Sequence, residues 1–234
     1  MTIYRLFDDP VFPDPEEADP DGLLAIGGDL SPQRLIIAYA MGIFPWYSEG
    51  SPILWWSPEP RMALLPHELH VPGSLRRVLN SGRLRFTLDT AFGQVIRVCA
   101  CAPRPGQDGT WILPEMIVAY EALHALGIAH SAEAWTDDGN GDGVLVGGLY
   151  GVALGSVFFG ESMFCATPNA SKALFVTLVR WLAARGCTLV DCQQTTAHMQ
   201  RFGAKELSRA EFRARLQAGL GSDALTGAWE LAQG

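Results

Sequence analysis

A strand, a turn and a helix in the second half of the chain constrain its fold more than any other feature. The apolar stretch Val144–Phe158 predicts strand structure, and it leads into a turn that carries Glu161. The residues Asn169–Lys172 then form a small-residue cap before the amphipathic run Ala173–Ala184, which predicts a helix. This order of elements is typical of proteins that pack helices against a sheet.

A second strand follows this helix and ends in polar residues. Leu189–Gln193 begins with apolar side chains and closes with the carboxylate of Asp191 and the amide of Gln193. Units of this kind gather polar groups at their strand ends. We therefore expect Glu161, Asp191 and Gln193 to form one chemical site.

The composition indicates a globular chain. At 234 residues, 48% of them hydrophobic and with a mean hydropathy of +0.13, it suits one large domain or two unequal ones. It has no apolar run of 18 residues, so no membrane span is expected. Its first residues lack a basic segment followed by a long apolar one, so no secretory signal is expected either. Its five cysteines form no C-x-x-C pair, which favours a reducing cytoplasm.

The net charge of −8 is distributed unevenly. Residues 1–30 contain eight acids and one arginine, whereas residues 61–104 contain seven arginines and two acids. Residues 180–215 contain seven basic residues and three acids. Basic stretches on an acidic protein fit a local contact with a phosphate backbone. Ordinary solvated helix faces are the alternative interpretation.

The first part of the chain predicts a small N-terminal domain over residues 1–62. Residues 8–32 are rich in Pro, Asp and Gly and predict loops and turns. A short helix is predicted over Gln33–Met41. Residues 46–56 then contain three Trp and one Tyr near several prolines, which favours a rigid aromatic platform.

The remaining residues, 63–234, predict a mixed α and β domain. Helices are predicted over Gly73–Asn80, Thr90–Cys101, Pro114–Gly127 and Arg209–Ala218. Strands are predicted over Leu84–Leu88, Ile128–Trp135, and Val144–Tyr150 paired with Val152–Phe158 across Gly151. Loops are predicted at 103–109 and 137–142. Several adjacent strands among helices indicate the α+β class, with a mixed sheet flanked by helices.

Eight short motifs occur in order along nearly the whole chain. They are Gly22–Ala25, Gly27–Pro32, Gly42–Trp46, Trp55–Pro58, Gly109–Ile112, Gly160–Phe164, Asn169–Lys172 and Asp191–Gln193. In these motifs and their order the chain resembles the leucyl/phenylalanyl-tRNA–protein transferase family. Two departures from the family pattern are a longer, proline-rich stretch at 99–108 and the leucines at 149 and 178. These leucines bear on the preference between Leu and Phe.

The resemblance implies a cytoplasmic aminoacyltransferase that needs no cofactor. Such an enzyme moves Leu or Phe, and less readily Met, from a charged tRNA to a protein whose N-terminal residue is Arg or Lys. The modified protein is thereby marked for degradation through the N-degron pathway. The resemblance also implies a small N-terminal domain beside a catalytic domain with a GNAT-like, that is acetyltransferase-related, fold.

An aminoacyl-tRNA ester is already activated, so neither ATP, a metal nor a covalent enzyme intermediate is required. Asp191 is a candidate for holding or deprotonating the incoming ammonium, and Gln193 for donating to the ester carbonyl. Glu161 is a candidate for orienting the amine or the terminal ribose hydroxyl, or for holding the acceptor's basic side chain. Alternatively, Glu161 or Asp191 caps a turn or pairs with Lys172.

The remaining candidates are apolar and aromatic. A pocket for the aminoacyl side chain is expected from Leu149, Phe158, Met163, Phe175 and Leu178, each of which also suits an ordinary core. Trp46 and Trp111 are candidates for stacking on the 3′-terminal adenine of tRNA, or for joining the two domains. Tyr120 lines the same cleft or belongs to the core of its helix.

Other classes of site lack their signatures in the sequence. The histidines have no cysteine or acid arrangement typical of a closed zinc site, and we expect no metal. A nucleotide-binding phosphate loop of the G-x-x-x-x-G-K-[ST] type is missing too. Two competing functions stay open at this point: a coenzyme A-dependent acyltransferase, for which no convincing pyrophosphate turn is found, and a non-catalytic tRNA-binding module.

Overall fold

The computed structural model describes residues 3–103, 110–137, 139 and 143–231. The loops predicted at 103–109 and 137–142 lie mostly outside these residues. The described residues form two sheets and the helices that cover them, which confirms the α+β class. None of their helices is both long enough and apolar enough to cross a membrane.

A four-stranded sheet belongs to the N-terminal region. Its strands are β1 (Tyr4–Leu6), β2 (Leu23–Gly27), β3 (Phe44–Pro45) and β4 (Leu54–Trp56), in the spatial order β1-β2-β4-β3. Helix α1 (Pro32–Ala40) connects β2 to β3. It begins as the sequence predicts, with Pro32 in its first turn and the Ser31 hydroxyl accepting a hydrogen bond from the Arg34 backbone N–H.

A seven-stranded sheet forms the centre of the molecule. Its strands are β5 (Arg61–Leu64), β6 (Arg85–Leu88), β7 (Ala129–Thr136), β8 (Val144–Leu154), β9 (Val157–Cys165), β10 (Leu189–Gln193) and β11 (Lys205–Leu207). Their spatial order is β11-β5-β10-β9-β8-β7-β6. Neighbouring strands are antiparallel except β9 and β10, which are parallel.

Six further helices accompany the large sheet in the described residues. They are α2 (Gly73–Leu79), α3 (Phe92–Cys101), α4 (Pro114–Ala125), α5 (Ala170–Ala184), α6 (Ala197–Gln200) and α7 (Arg209–Leu220). All of the predicted helices are therefore confirmed. Helix α6 is an additional helix that the sequence did not indicate. The parallel pair β9 and β10 is joined through α5, as a parallel connection requires.

The large sheet is buried on both faces. Phe158 and Phe159 point to opposite faces because successive side chains of a strand alternate. Phe159 packs in a core that includes residues of α1, α3, α4 and α7, and Phe158 packs in a second core with α5. The first core also contains Leu24 and Trp55, so the N-terminal sheet packs directly against the large one.

The predicted division at residues 62 and 63 falls inside β5, which pairs within the large sheet. The chain therefore leaves the N-terminal sheet after Trp56 and enters the large sheet at Arg61. A structural division between the two regions lies between these residues. The division into two domains stays a prediction.

The hairpin predicted at Gly151 is wrong. Strand β8 continues through Gly151 to Leu154, and the turn lies at Gly155, whose φ of +63° suits a glycine. A Cβ atom at Gly151 would lie 2.2 Å from the Phe159 carbonyl oxygen. Gly151 is thus needed for close strand packing. As a further consequence, Glu161 lies within β9 and not in a turn.

Candidate active site

One cavity of about 380 Å³ brings together nine of the eleven predicted site residues. It contains the polar residues Glu161, Asp191 and Gln193. It also contains Leu149, Phe158, Met163, Phe175, Trp46 and Trp111. Several other lining residues, which are not among the predicted ones, form β3 or follow β10: Phe44, Pro45, Gln194, Thr196, His198 and Met199.

The parallel pairing of β9 and β10 places the polar groups side by side. Asp191 is in register with Phe159, and two residues further along each strand lie Gln193 and Glu161. The Gln193 Nε2 atom donates a hydrogen bond to the Glu161 Oε1 atom at 2.8 Å. The pairing therefore places the carboxyl in the middle of β9 next to the amide at the end of β10.

An irregularity at the end of β10 aims the Gln193 side chain. The register of β10 against β5 shifts between Asp191 and Gln193, and Gln193 has a φ of 59°. A positive φ is uncommon for a residue other than glycine and is found preferentially at functional sites. The backbone N–H of Gln193 donates to the Asp191 Oδ1 atom at 2.9 Å and holds this conformation.

Glu161 is a buried carboxyl in a chain of hydrogen bonds. The Tyr120 hydroxyl donates to its Oε2 atom at 3.1 Å, and the Tyr120 hydroxyl is in turn bonded to the Tyr39 hydroxyl. Burial raises the pKa of Glu161 to about 7. The nearby Asp191 charge also raises this pKa, whereas the hydrogen bonds to the carboxylate lower it. The group therefore changes protonation near neutral pH, as a proton acceptor in catalysis requires.

Asp191 is fully buried and paired with Arg61. The Arg61 guanidinium donates to both carboxylate oxygens, through Nε at 2.9 Å and Nη2 at 2.7 Å. The rings of Phe44 and Phe212 each have their centroid 4.7 Å from the guanidinium carbon. A bidentate pair between aromatic rings holds Asp191 rigidly.

Arg61 is not among the site residues predicted from the sequence. It stands in a basic stretch suited to phosphate, whereas its side chain is only 1% exposed and cannot contact a polyanion. Lys172 was the predicted alternative partner of Asp191, and the structure pairs Asp191 with Arg61 instead. The position of Arg61 in a four-residue buried strand became apparent only from the sheet pairing.

Two predicted residues do not line the cavity. Leu178 lies on the buried side of α5, 2% exposed and within the core that contains Phe158, because it is a helical turn further along than Phe175. Tyr120 is fully buried in α4, and its hydroxyl meets Glu161 from behind. Tyr120 thus supports the carboxyl.

The two tryptophans that line the cavity come from separate parts of the chain. Trp46 follows β3, and its ring lies edge-on to Trp56 with centroids 5.8 Å apart. The Trp56 indole N–H donates to the Trp46 carbonyl oxygen at 2.6 Å, which fixes this segment. Trp111 precedes α4. Both the N-terminal region and the large sheet therefore contribute walls to the same cavity.

The fold and the cavity together define an α+β enzyme with its polar groups on two neighbouring parallel strands. A family model described as leucyl/phenylalanyl-tRNA protein transferase matches residues 63–217, and a model of that family's N-terminal domain matches residues 28–59. The chain belongs to the leucyl/phenylalanyl-tRNA–protein transferase family, and it is an aminoacyltransferase.

Similar proteins extend over the full chain. A leucyl/phenylalanyl-tRNA–protein transferase of Anaeromyxobacter sp. (strain Fw109-5) is 58% identical over 100% of this chain and 97% of its own length. The corresponding protein of Oleidesulfovibrio alaskensis is also 58% identical, over 100% of this chain and 94% of its own.

Solved structures are much more distant. FemX shares 11% sequence identity and a TM-score of 0.45, over 79% of this chain and 65% of its own length. L-PGS from Bacillus licheniformis shares 11% identity and a TM-score of 0.40, over 89% and 65%. Likenesses of this size carry no conclusion about chemistry, and the expectation of a GNAT-related fold rests on family membership.

Proposed function

We propose that this protein transfers Leu or Phe, and less readily Met, from aminoacyl-tRNA to proteins whose N-terminal residue is Arg or Lys. The observation that carries the proposal is the Glu161–Gln193 pair, hydrogen-bonded at 2.8 Å in a cavity that also has apolar and indole walls. Family membership supports the reaction class. Marking of the acceptor for degradation, and a cytoplasmic location, complete the proposal.

Positioning supplies most of the rate enhancement in this proposal. The attacking α-amine has a reference pKa of about 8, so its deprotonation at pH 7 costs only about 1 kcal/mol. Holding the amine against the ester carbonyl in one cavity can lower the barrier by roughly 7–11 kcal/mol. The enzyme's main task is therefore to bind both substrates in a reactive geometry.

Glu161 and Gln193 act on the reacting groups. Glu161, with a pKa of about 7, orients the ammonium and accepts its proton as the amine attacks. One N–H of the Gln193 amide donates to Glu161, and the other donates to the carbonyl oxygen of the ester as negative charge develops there. When the new amide bond forms, the bond between the carbonyl carbon and the ribose oxygen breaks, and the ribose oxygen leaves with the tRNA as a hydroxyl that has taken the second proton of the attacking nitrogen.

Asp191 has the role of a positioning residue in this scheme. Both of its oxygens accept hydrogen bonds from Arg61, and Oδ1 also accepts one from the Gln193 backbone. A carboxylate with these partners is poorly placed to receive a proton from a substrate. Of the two roles that the sequence left open, base or anchor, the geometry favours the anchor.

The apolar walls select the donor. Leu149, Phe158, Met163 and Phe175 offer a hole without charged groups, and the flexible Met163 thioether adapts to an aliphatic or an aromatic side chain. Such a hole discriminates by only about 1–3 kcal/mol per methylene, so some transfer of Met is expected. Trp46 and Trp111 stack on the terminal adenine, a contact worth roughly 1–3 kcal/mol.

A charged-tRNA assay tests the proposal. The protein is incubated with Phe-tRNA and three peptides that differ only in their first residue, Arg, Lys or Ala, and the products are identified by mass spectrometry. We expect Phe-Arg and Phe-Lys peptides and little or no product with Ala. Binding of tRNA without any product would contradict the proposal, and so would acyl transfer from acetyl-coenzyme A with no tRNA present.

A further inference from the structure

A second, smaller cavity lies beside the candidate active site. It has a volume of about 210 Å³. His198 lines both cavities, so the two adjoin. The other polar residues that line the second cavity are Ser74, Asn169, Lys172 and Arg201. No acid lines it among the residues that the structure describes.

Three elements bring positive groups to this cavity. Lys172 is the third residue of the 15-residue helix α5, where the N-terminal end of the helix dipole is also positive. His198 belongs to α6, and Arg201 directly follows it. Partial burial of the ring, together with the proximity of Lys172 and Arg201, lowers the pKa of His198.

These positive groups lack counter-charges in the described part of the chain. Neither Lys172 nor Arg201 forms an ion pair there, whereas Arg209, Arg213 and Arg215 each do. The buried Nε2 atom of His198 has no hydrogen-bond partner among the described residues. Like charges gathered without an acid repel one another, and an anion bound between them would remove that cost.

Building on the proposed function, we infer that this second cavity binds the phosphodiester group 5′ to the terminal nucleotide of the aminoacyl-tRNA. That phosphate belongs to the nucleotide whose ribose carries the ester, so it must lie close to the cavity that holds the aminoacyl group. Lysine and arginine are the side chains that bind phosphate oxygens in proteins. By binding this phosphate, Lys172 and Arg201 fix the position of the terminal nucleotide relative to the first cavity.

The same charges exclude the other substrate. A peptide that begins with Arg or Lys carries two positive charges at its N-terminus, and both are repelled by Lys172 and Arg201. The second cavity therefore favours the nucleotide strand over the acceptor. This separation keeps the acceptor from occupying the donor's place.

A pair of small donors isolates the phosphate. One is 3′-O-phenylalanyl-adenosine, and the other is the same compound with a 5′-phosphate; each is assayed with a peptide that begins with Arg. In the natural protein we expect kcat/KM to be roughly tenfold higher with the phosphate, the effect of about one charge-assisted hydrogen bond, mostly through KM. In the double variant Lys172→Gln/Arg201→Gln, this ratio falls to about one.

The control is Arg180→Gln, which removes one positive charge from an exposed position of α5 and should keep the ratio of the natural protein. A second measurement is the salt dependence of binding to charged tRNA. The slope of log affinity against log salt should become shallower by about 0.7 for each phosphate contact removed from a single strand. A purely structural role of Lys172 and Arg201 would not change this slope.

The outcomes separate the two proposals. If the natural protein uses both donors equally well, the phosphate site is refuted while the proposed function stands. If it prefers the phosphorylated donor but the variant keeps that preference, the assignment to Lys172 and Arg201 is refuted. If neither donor nor charged tRNA yields product, the proposed function fails, and the phosphate site fails with it. Should the double variant not fold, the ratio is measured on each single variant.

Discussion

Glu161 stands out among the single residues because its carboxyl is buried next to another acid. Its folded-state pKa of about 7 lies above its ordinary value of 4.5, since burial penalises the charged form. Folding therefore favours the protonated carboxyl. The associated stability is fully present below pH 4.5 and is lost as the pH rises through about 7. The ionised form, which the proposed function requires, is thus also the less stable form of the protein.

Glu161→Gln should consequently make the protein more stable at high pH. The amide keeps the shape of the protonated carboxyl and carries no charge. We expect the stability difference between variant and natural protein to grow by roughly 2–3 kcal/mol between pH 5 and pH 8. Urea unfolding at the two pH values measures it. A difference that does not depend on pH would show that Glu161 titrates normally.

A substitution in the Arg61–Asp191 pair should instead destabilise the protein. Arg61→Met leaves the Asp191 carboxylate buried without its partner, and we expect a loss of about 3–5 kcal/mol in the free energy of unfolding. Arg97→Met is the matched control, because Arg97 forms an exposed ion pair with Glu121 at 2.7 Å. That change should cost about 1 kcal/mol or less. Equal effects of the two substitutions would contradict the assigned role of Arg61.

Residue identities predicted part of the site. Glu161, Asp191 and Gln193 could be proposed because each stands in a motif at the end of a strand-like stretch. Arg61 could not, since nothing in the sequence distinguishes it from the solvated arginines that follow. Its role depends on the pairing of β5 with β10, two strands 130 positions apart at this contact.

At the scale of elements, the β8–β9 hairpin shapes the floor of the cavity. A Cβ atom at Gly151 would lie 2.2 Å from the Phe159 carbonyl oxygen and 2.5 Å from the Phe158 ring. We expect Gly151→Ala to destabilise the protein by roughly 3 kcal/mol, and to lower activity because Phe158 lines the cavity.

Gly73→Ala is the control for this substitution. A Cβ atom there meets nothing within 4 Å, and the residue begins α2. Gly73→Ala should change the free energy of unfolding by no more than about 1 kcal/mol, so its melting temperature should stay close to that of the natural protein. If Gly151→Ala melted at the same temperature as Gly73→Ala, the close packing of β8 and β9 would not be a determinant of the fold.

Helices were easier to predict than the strand boundaries. The Ser-Pro start of α1 and the periodic run of α4 have local causes, and both helices occur close to their predicted bounds. The run from Val144 to Phe158 has four glycines, and the two at 151 and 155 both suit a turn. Contacts with Phe158 and Phe159, which local sequence does not reveal, decide between them.

At the scale of the whole molecule, acids of the N-terminal region form ion pairs with arginines of helix α7. Arg213 of α7 contacts Asp14 at 2.8 Å and Glu16 at 3.0 Å, and Arg209 lies near Glu16 and Glu59. The basic stretch 180–215 is therefore not one continuous phosphate-binding surface. For Arg209 and Arg213 these ion pairs favour the alternative of solvated helix faces, and phosphate contact by this stretch stays a prediction.

Arg213→Gln should accordingly leave tRNA binding unchanged. Its partners are acids of the N-terminal segment, and the exposed pair contributes about 1 kcal/mol or less to stability. We expect the salt dependence of tRNA affinity to match that of the natural protein. A clearly shallower slope would mean that Arg213 leaves its partners to contact phosphate.

The molecule as a whole joins two sheets around a cavity in which, under the proposed function, an activated ester and an amine are held together. The most direct test is the single-turnover rate of Phe transfer from Phe-tRNA to a peptide that begins with Arg, followed against pH. For the natural protein, the rate should fall as the pH is lowered through about 7, where Glu161 becomes protonated. Glu161→Gln should be slower by about 10²–10⁴-fold, and its remaining pH dependence should be that of the acceptor's α-amine, whose reference pKa is about 8. A variant with the rate and pH profile of the natural protein would contradict the account.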